Sequence, residues 1–284
     1  MSKQLSNTTI NNKLNLLLTN TADMALKRRA KVIVEMLNIQ PGDKILDVGC
    51  GDGYYLHLMS NLGIQINLYG CDFDKASLVS AKNYLNKNIS FVEADLMSSL
   101  PYKSSTFDKV VMSEVCEHLP NPIYGLNEVN RVLKKGGVVV ISVPNKNYPL
   151  LWDPVNWFLE KLFKTHIKSG FFAGIWNQHI RLYSKEQILA EIKSAGFEVI
   201  DAHTFTFWSL PFNHYIVNLG ARILSRTKES RSFSSFNKFK IKSKQSKMSR
   251  IVYGLFTRID KLNDIYPGPQ NQSSVSIVVK GVKA

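Results

Sequence analysis

Ile45-Leu46-Asp47-Val48-Gly49-Cys50-Gly51-Asp52-Gly53-Tyr54-Tyr55 is the stretch on which the reading of this chain turns. An apolar run of strand character ends in an acidic residue and passes into a turn with glycine at every second position. Such glycines let the backbone turn tightly and approach a ligand with no Cβ in the way. The dinucleotide pattern GxGxxG needs a third glycine where Tyr54 stands, and a P-loop needs Gly-Lys-Ser/Thr after its glycines. Neither a nicotinamide or flavin fingerprint nor a nucleoside-triphosphate loop is therefore written here.

Working outward, short runs rich in valine and isoleucine alternate with helix-like stretches: Lys44 to Val48, Ile66 to Cys71, Ile89 to Val92, Lys109 to Met112 and Val138 to Val143. Strand and helix in alternation predict a parallel sheet with crossover helices. The helix ends are legible too. Asp23 is placed to cap a helix through Leu37 that Pro41-Gly42 closes, and Asn121 with Pro122 opens a helix for which Gly136-Gly137 reads as the stop. Ser184 and Gln187 form a capping box, Gly196 ends that helix, and Phe197 to Ile200 begins a sixth strand. Ser274 to Val279 supplies a seventh. Two segments break the rhythm, at 148–181 and 205–271.

Acidic residues recur at the strand ends. Asp72 closes the second strand in Gly70-Cys71-Asp72-Phe73-Asp74, 25 residues beyond Asp47, where a carboxylate can accept from two ribose hydroxyls. Asp95 follows the third in Val92-Glu93-Ala94-Asp95-Leu96. Then come Phe107-Asp108-Lys109-Val110-Val111, Ser113-Glu114-Val115-Cys116-Glu117-His118-Leu119, Arg131-Val132-Leu133-Lys134-Lys135-Gly136-Gly137 and Val143-Pro144-Asn145. In order and spacing these runs resemble the small-molecule branch of the class I S-adenosylmethionine-dependent methyltransferases, whose first motif is DxGxGxG after strand one. The resemblance is close from Ala30 to Pro144 and looser from Arg181 to Phe197.

The resemblance implies an α/β fold: a Rossmann-like, doubly wound, seven-stranded sheet, mostly parallel with the last strand antiparallel, and helices on both faces. It implies S-adenosylmethionine as cofactor, bound by Asp47, Gly49, Cys50, Gly51, Gly53, Asp72, Phe73, Asp95, Leu96 and Ser113. Asp47 would orient the glycine turn and engage the methionine ammonium through water. Asp72 would hold the ribose, Asp95 and the Leu96 amide would read the adenine edge, and Ser113 would line the methionine end. Phe73 would cover one adenine face, or it is an ordinary core aromatic. Because the sulfonium makes the methyl group electrophilic, the protein has chiefly to align donor and acceptor, and no metal is expected.

An oxygen acceptor needs a base. His118, just after the fourth strand, could serve or could simply orient its loop with Glu117. Glu114 is a second candidate, with ligand positioning as its plainer role. His179, in Trp176-Asn177-Gln178-His179, could face the acceptor from the other side or be a satisfied structural histidine. The Asn/Asp-Pro-Pro-Tyr signature of amino-directed nucleic-acid methyltransferases is missing. Cys116 reads as a small core residue, not a nucleophile.

The 284 residues carry 36 Lys+Arg against 22 Asp+Glu, and 44% are hydrophobic, so a sizeable core is expected and wholesale disorder is not. Three cysteines without metal or disulfide spacing suit a reducing, cytoplasmic setting. Residues 1–20, interrupted by Asn and Lys, read as a flexible leader without signal-peptide character. The domain reading is 21–204 plus 272–284 for the catalytic fold, 148–181 for an acceptor-side lid, and 205–271 for an inserted helical element. The stretch from Arg222 to Arg258 holds 11 Lys+Arg and one Glu, leaving the rest of the chain close to neutral.

A basic segment beside the apolar run Phe205 to Leu224 suits an anionic membrane surface contacted through 205–262. Phenylalanines 233, 236 and 239 among lysines 238, 240 and 242 would also suit single-stranded nucleic acid, and a solvated loop is the plain alternative. The leading expectation is a cytoplasmic, peripherally membrane-bound methyltransferase acting on a lipophilic small molecule such as a quinone or lipid precursor. Its rivals are an RNA methyltransferase guided by the basic segment and a cofactor-binding sensor or assembly factor without turnover.

Overall fold

A computed structural model describes residues 7–21, 23–85, 88–216, 219, 247–265 and 273–284. Strands β1 (Lys44–Val48), β2 (Asn67–Asp72), β3 (Ser90–Glu93), β4 (Phe107–Ser113), β5 (Leu133–Pro144), β6 (Phe197–Phe205) and β7 (Ser276–Lys283) form one sheet in the order β3-β2-β1-β4-β5-β7-β6. The first five strands pair in parallel, and β7 runs antiparallel to both β5 and β6. The chain reverses its strand order at β1 and β4. In an open α/β sheet the crevice beyond the carboxyl ends of such strands is where ligands bind.

Neighbouring residues on each central strand face opposite sides. Ile45, Val111, Val140 and Val278 point into one apolar core with helices α1 (Asn7–Leu17), α2 (Met24–Leu37), α3 (Tyr54–Ser60) and α4 (Lys75–Tyr84). Leu46, Val110, Val139 and Val279 point into the other, against α5 (Pro122–Val132) and α7 (Lys185–Ser194). The expected seven-stranded, doubly wound sheet with its last strand antiparallel is what the chain forms.

Most helix ends are those the sequence marks. Asp23 accepts from the Ala25 and Leu26 amides at the start of α2, Asn121 caps α5 ahead of Pro122, and Ser184 and Gln187 complete a reciprocal box on α7. Gly136-Gly137, by contrast, does not stop α5. The helix ends at Val132, and Lys134 to Gly137 loop out as β5 begins, shifting the register between Phe107 and Lys109 on β4. Gly136 takes a φ of 71° in that loop. Strand β6 also runs on to Phe205, into residues expected to open the second insertion, because β7 pairs with it along that length.

The reading of residues 1–20 as a flexible leader needs correction from residue 7 onward. Ile10, Leu14 and Leu17 recur at helical spacing on α1, and Leu14, Leu17 and Leu18 are buried against the sheet. The intervening asparagines hide the stripe in the linear sequence.

The two insertions pack together. Helix α6 (Pro154–Phe163) starts on Asp153, and a tight helical turn at Phe171–Trp176 follows it. Asp153 is fully buried and accepts from the Asn156 and Ile175 amides and from the Tyr215 hydroxyl, which comes from the second insertion. Phe171, Phe172 and Phe212 ring Tyr215 at centroid distances of 5.6, 5.9 and 6.1 Å. A late helix, Lys247–Ile265, lies on α2 through Arg28, which binds Asp260 and Asp264, while Phe256 is buried beside Met24 and Trp152. The aromatic–lysine run 233–242 lies outside the described residues. Among the described residues no helix is long and apolar enough to cross a membrane.

Candidate functional site

The glycine turn after β1 is built for close approach. Gly49, Gly51 and Gly53 take φ values of 67°, 51° and 80°. The three glycines are not equivalent. A Cβ on Gly49 would sit 2.5 Å from Val115 and one on Gly53 2.4 Å from Leu85, so these two serve packing. A Cβ on Gly51 would meet nothing within 4 Å, which leaves that backbone open to a ligand. The Gly49 and Cys50 amides both donate to the Cys71 carbonyl, tying the turn to β2. The Cys50 side chain is buried, and its thiol is pushed far up by burial and by the Asp47 and Asp72 charges.

Asp47 is buried under this turn, and its Oδ2 has no hydrogen-bond partner. Burial first, then the charges of Asp72 and Asp52, raise its pKa well above the carboxylate range. At the tip of β2, Asp72 accepts from the Gly51 amide at 2.7 Å and the Asp74 amide at 2.8 Å, one on each oxygen. Each oxygen keeps a second lone pair, so the carboxylate is oriented and still able to accept two hydroxyls. Phe73 is 76% exposed, which removes the core-aromatic alternative and leaves its ring free to cover a planar ligand. Asp95 is exposed and steadied by the Met97 amide at 2.8 Å, and Leu96 is buried beside it.

Beyond the glycine turn, the sequence reading missed a polar ring. Ser113 Oγ lies 2.9 Å from the Tyr55 hydroxyl and 2.7 Å from Ser142 Oγ, and Ser142 donates to Glu114 Oε1 at 3.1 Å. A hydroxyl has one proton to give, so the order is Tyr55 to Ser113 to Ser142 to Glu114. Arg29 of α2 closes the ring, 3.1 Å from Glu114 Oε2 and near enough to Tyr55 for that oxygen to favour its charge. Burial works against the Arg29 charge, but Glu114 and Tyr55 outweigh it and raise its pKa. Its Nε is buried without a partner. Ser113, expected to line the methionine end, has spent its proton and can only accept there. One signal could have revealed Arg29: it sits four residues from both Ala25 and Ile33, on the buried stripe of α2, where a charge needs a reason.

The three candidate bases separate into two places. Glu114, in a left-handed backbone conformation with φ 57°, turns to Arg29 and Ser142. His118 and His179 come together, rings edge-on at 4.8 Å, with the fully buried Glu117 beneath them. His118 Nδ1 lies 2.9 Å from the Gln178 carbonyl, an acceptor only, which puts the proton on Nδ1 and leaves the lone pair on Nε2, 3.9 Å from Glu117 Oε1. His179 is neutral over the physiological range: burial, then the neighbouring His118 charge, push its pKa down to about 4. Burial and the Glu114 charge drive the Glu117 carboxyl the other way, well above its ordinary range. Cys116 is fully buried in the core, its thiol held protonated by burial.

An open glycine backbone, a ribose-competent carboxylate and an exposed ring suit a nucleoside. The orphaned acceptor on Asp47 and orphaned donor on Arg29 suit the two charges of an amino-acid zwitterion. These residues therefore fit S-adenosylmethionine, which carries both.

The profile of a family described as "Methyltransferase domain" matches residues 22–202. The chain is similar to an uncharacterised protein of Methanocaldococcus jannaschii, 27% identical over 70% of this chain and 80% of that one. It is also similar to a demethylmenaquinone methyltransferase of Alkalihalophilus pseudofirmus, 26% identical over 62% of this chain and 79% of that one. Among solved structures, an S-adenosylmethionine-dependent methyltransferase from Archaeoglobus fulgidus superposes with a TM-score of 0.53 at 17% identity, covering 91% of this chain and 93% of that one. The chain spans only about half the length of the fungal and plant sterol methyltransferases it also matches.

Proposed function

The chain belongs to the methyltransferase-domain family and uses S-adenosylmethionine as its methyl donor, and we propose that it passes the methyl group to a lipophilic small molecule, a quinone, a lipid or a related precursor, at a membrane surface. Gly49 to Gly53 and Asp72 seat the nucleoside, Phe73 lies over the base, and Asp95 with the Leu96 amide reads its edge. Asp47 takes the ammonium and the free Arg29 Nε the carboxylate, so the sulfonium methyl is held toward the acceptor at the end of β4. The bound donor supplies an electrophilic methyl, and the protein supplies alignment and exclusion of water.

The observation that carries the acceptor class is the apolar cap made by the two insertions. Phe158, Leu162 and Phe163 on α6 are 51 to 69% exposed, and Phe172, Phe212 and Ile216 are 45 to 55% exposed. Tyr215 joins the two groups into one structure through Asp153 and the surrounding rings. Exposed aromatic and aliphatic side chains in such number mark a surface that meets something apolar. The similarity to a demethylmenaquinone methyltransferase agrees with that chemistry.

Flotation of the whole protein with anionic liposomes tests the membrane contact. The paired substitutions Leu162→Ser and Phe163→Ser, which touch no catalytic or cofactor residue, should release it from the vesicles. Flotation equal to that of the unsubstituted protein would remove the cap from the membrane. Incubation of radiolabelled donor with fractionated cell extract tests the acceptor: label should enter the lipid fraction, and label in RNA would overturn the proposal.

A further inference from the structure

Glu117, His118 and His179 form a group of ligand atoms that neither the donor site nor the apolar cap uses. Their atoms all lie within 4.8 Å of one another, and each histidine Nε2 is 3.9 Å from Glu117 Oε1. Glu117 is fully buried, and neither carboxylate oxygen has a hydrogen-bond partner on another residue. A buried carboxylate left that way is costly unless a cation meets it.

For His118 the supporting contact is the one a metal ligand has, whereas His179 Nδ1 is buried without a partner. The Gln178 carbonyl holds the His118 Nδ1 proton at 2.9 Å, so Nε2 presents its lone pair toward Glu117. The Ile180 amide donates to the Glu117 carbonyl at 3.0 Å, and Arg181 donates to the carbonyls of Cys116 and Leu119. The loop bearing His179 is thereby pinned to the turn Cys116–His118 that bears the other two groups. Sequence neighbours would not have met in this way: the two histidines lie 61 residues apart.

We propose that Glu117, His118 and His179 bind one divalent transition-metal ion through a carboxylate oxygen and the two Nε2 atoms. Two imidazoles and one carboxylate, with no thiolate, favour manganese, iron(II) or zinc over calcium or magnesium. A four-coordinate ion with bonds of about 2.0–2.2 Å spaces its ligands at about 3.3–3.6 Å, so the two 3.9 Å separations close by a few tenths of an ångström, and the widest, up to 4.8 Å, closes by about 1.2–1.5 Å as the partly exposed His118 ring turns inward. His118 is 37% exposed on its side chain, so the site has a path to solvent past that ring.

Isothermal titration of the chelator-stripped full-length protein with ZnCl2, and separately with MnCl2, tests the site. One equivalent of at least one ion should bind. Glu117→Gln and His118→Asn should each weaken that binding at least tenfold. His118→Asn is the control for folding, since its side chain is partly exposed. Both variants are also titrated with S-adenosylhomocysteine, and retained binding of that ligand certifies a folded variant. No stoichiometric binding of either ion by the unsubstituted protein would overturn the proposal, and so would unchanged affinity in a folded His118→Asn variant.

Discussion

Arg29 Nη1 stands 3.1 Å from Glu114 Oε2, and this contact closes a ring of polar groups that joins α2 to the carboxyl ends of β4 and β5. The guanidinium is 13% exposed and the carboxylate 25%, so the pair is shielded and each partner depends on the other. The same guanidinium lies near Tyr55, whose oxygen favours its charge, and Tyr55 begins the hydroxyl chain through Ser113 and Ser142 that returns to Glu114. Packing of α2 is thus coupled to the geometry of the methionine end.

Arg29→Ala should lower folding stability by about 3–5 kcal/mol, the cost typical of leaving a buried charge unpaired. Arg29→Lys keeps the charge but loses the planar fork that pairs with Glu114, so it should be more stable than Arg29→Ala while binding donor more weakly than the parent. Urea denaturation alongside S-adenosylhomocysteine calorimetry separates the two effects. Parental affinity in Arg29→Lys would exclude the guanidinium from the carboxylate site.

Asp72→Ala removes the proposed acceptor for both ribose hydroxyls and the anchor of the Gly51 and Asp74 amides. Hydrogen bonds to a charged acceptor contribute about 1.5–3 kcal/mol each, so affinity for S-adenosylhomocysteine should drop by about a hundredfold or more. A loss under fivefold in the same titration would move the ribose elsewhere.

The glycines give an internal contrast. Gly51→Ala meets open space, so it should cost about 1 kcal/mol of backbone strain while sharply weakening the donor, which occupies that space. Gly53→Ala would press on Leu85 and Ala81 and should act mainly on the melting temperature. If Gly51→Ala binds donor like the parent, the open face of the turn is not the ligand's.

Asp47 supplies a pH dependence. Its raised pKa means that the ligand-free fold holds this proton more tightly than the unfolded chain does. Its contribution to stability is therefore full below the unfolded pKa and is lost as pH rises through the folded one. A bound ammonium favours the carboxylate, so donor binding should expel a proton and affinity should climb with pH until Asp47 is ionised in the free protein. Calorimetry in two buffers of different ionisation enthalpy counts that proton. Proton uptake, or none with Asp47→Asn behaving as the parent, would contradict the assignment.

Much of this was legible in the chain because it is local. Strand positions follow from apolar runs, the caps of α2, α5 and α7 from one or two polar residues each, and the proposed cofactor cradle from glycines and carboxylates that lie at strand ends in sequence order. Where local signals compete with pairing, they mislead. Gly136 reads as a helix stop and is a strand-entry loop, because β4 and β5 set the register there. The asparagines of α1 suggest a loose leader, yet its leucines find the core.

The doubly wound sheet and the family were written in short-range patterns that a backbone must obey. Which distant groups meet is set by the folded chain. Arg29 reaches Glu114 across 85 residues, His118 reaches His179 across 61, and Tyr215 locks onto Asp153 across 62. Those meetings depend on how α2 and the two insertions fold back over the sheet, and no spacing along the chain encodes a distance of that kind.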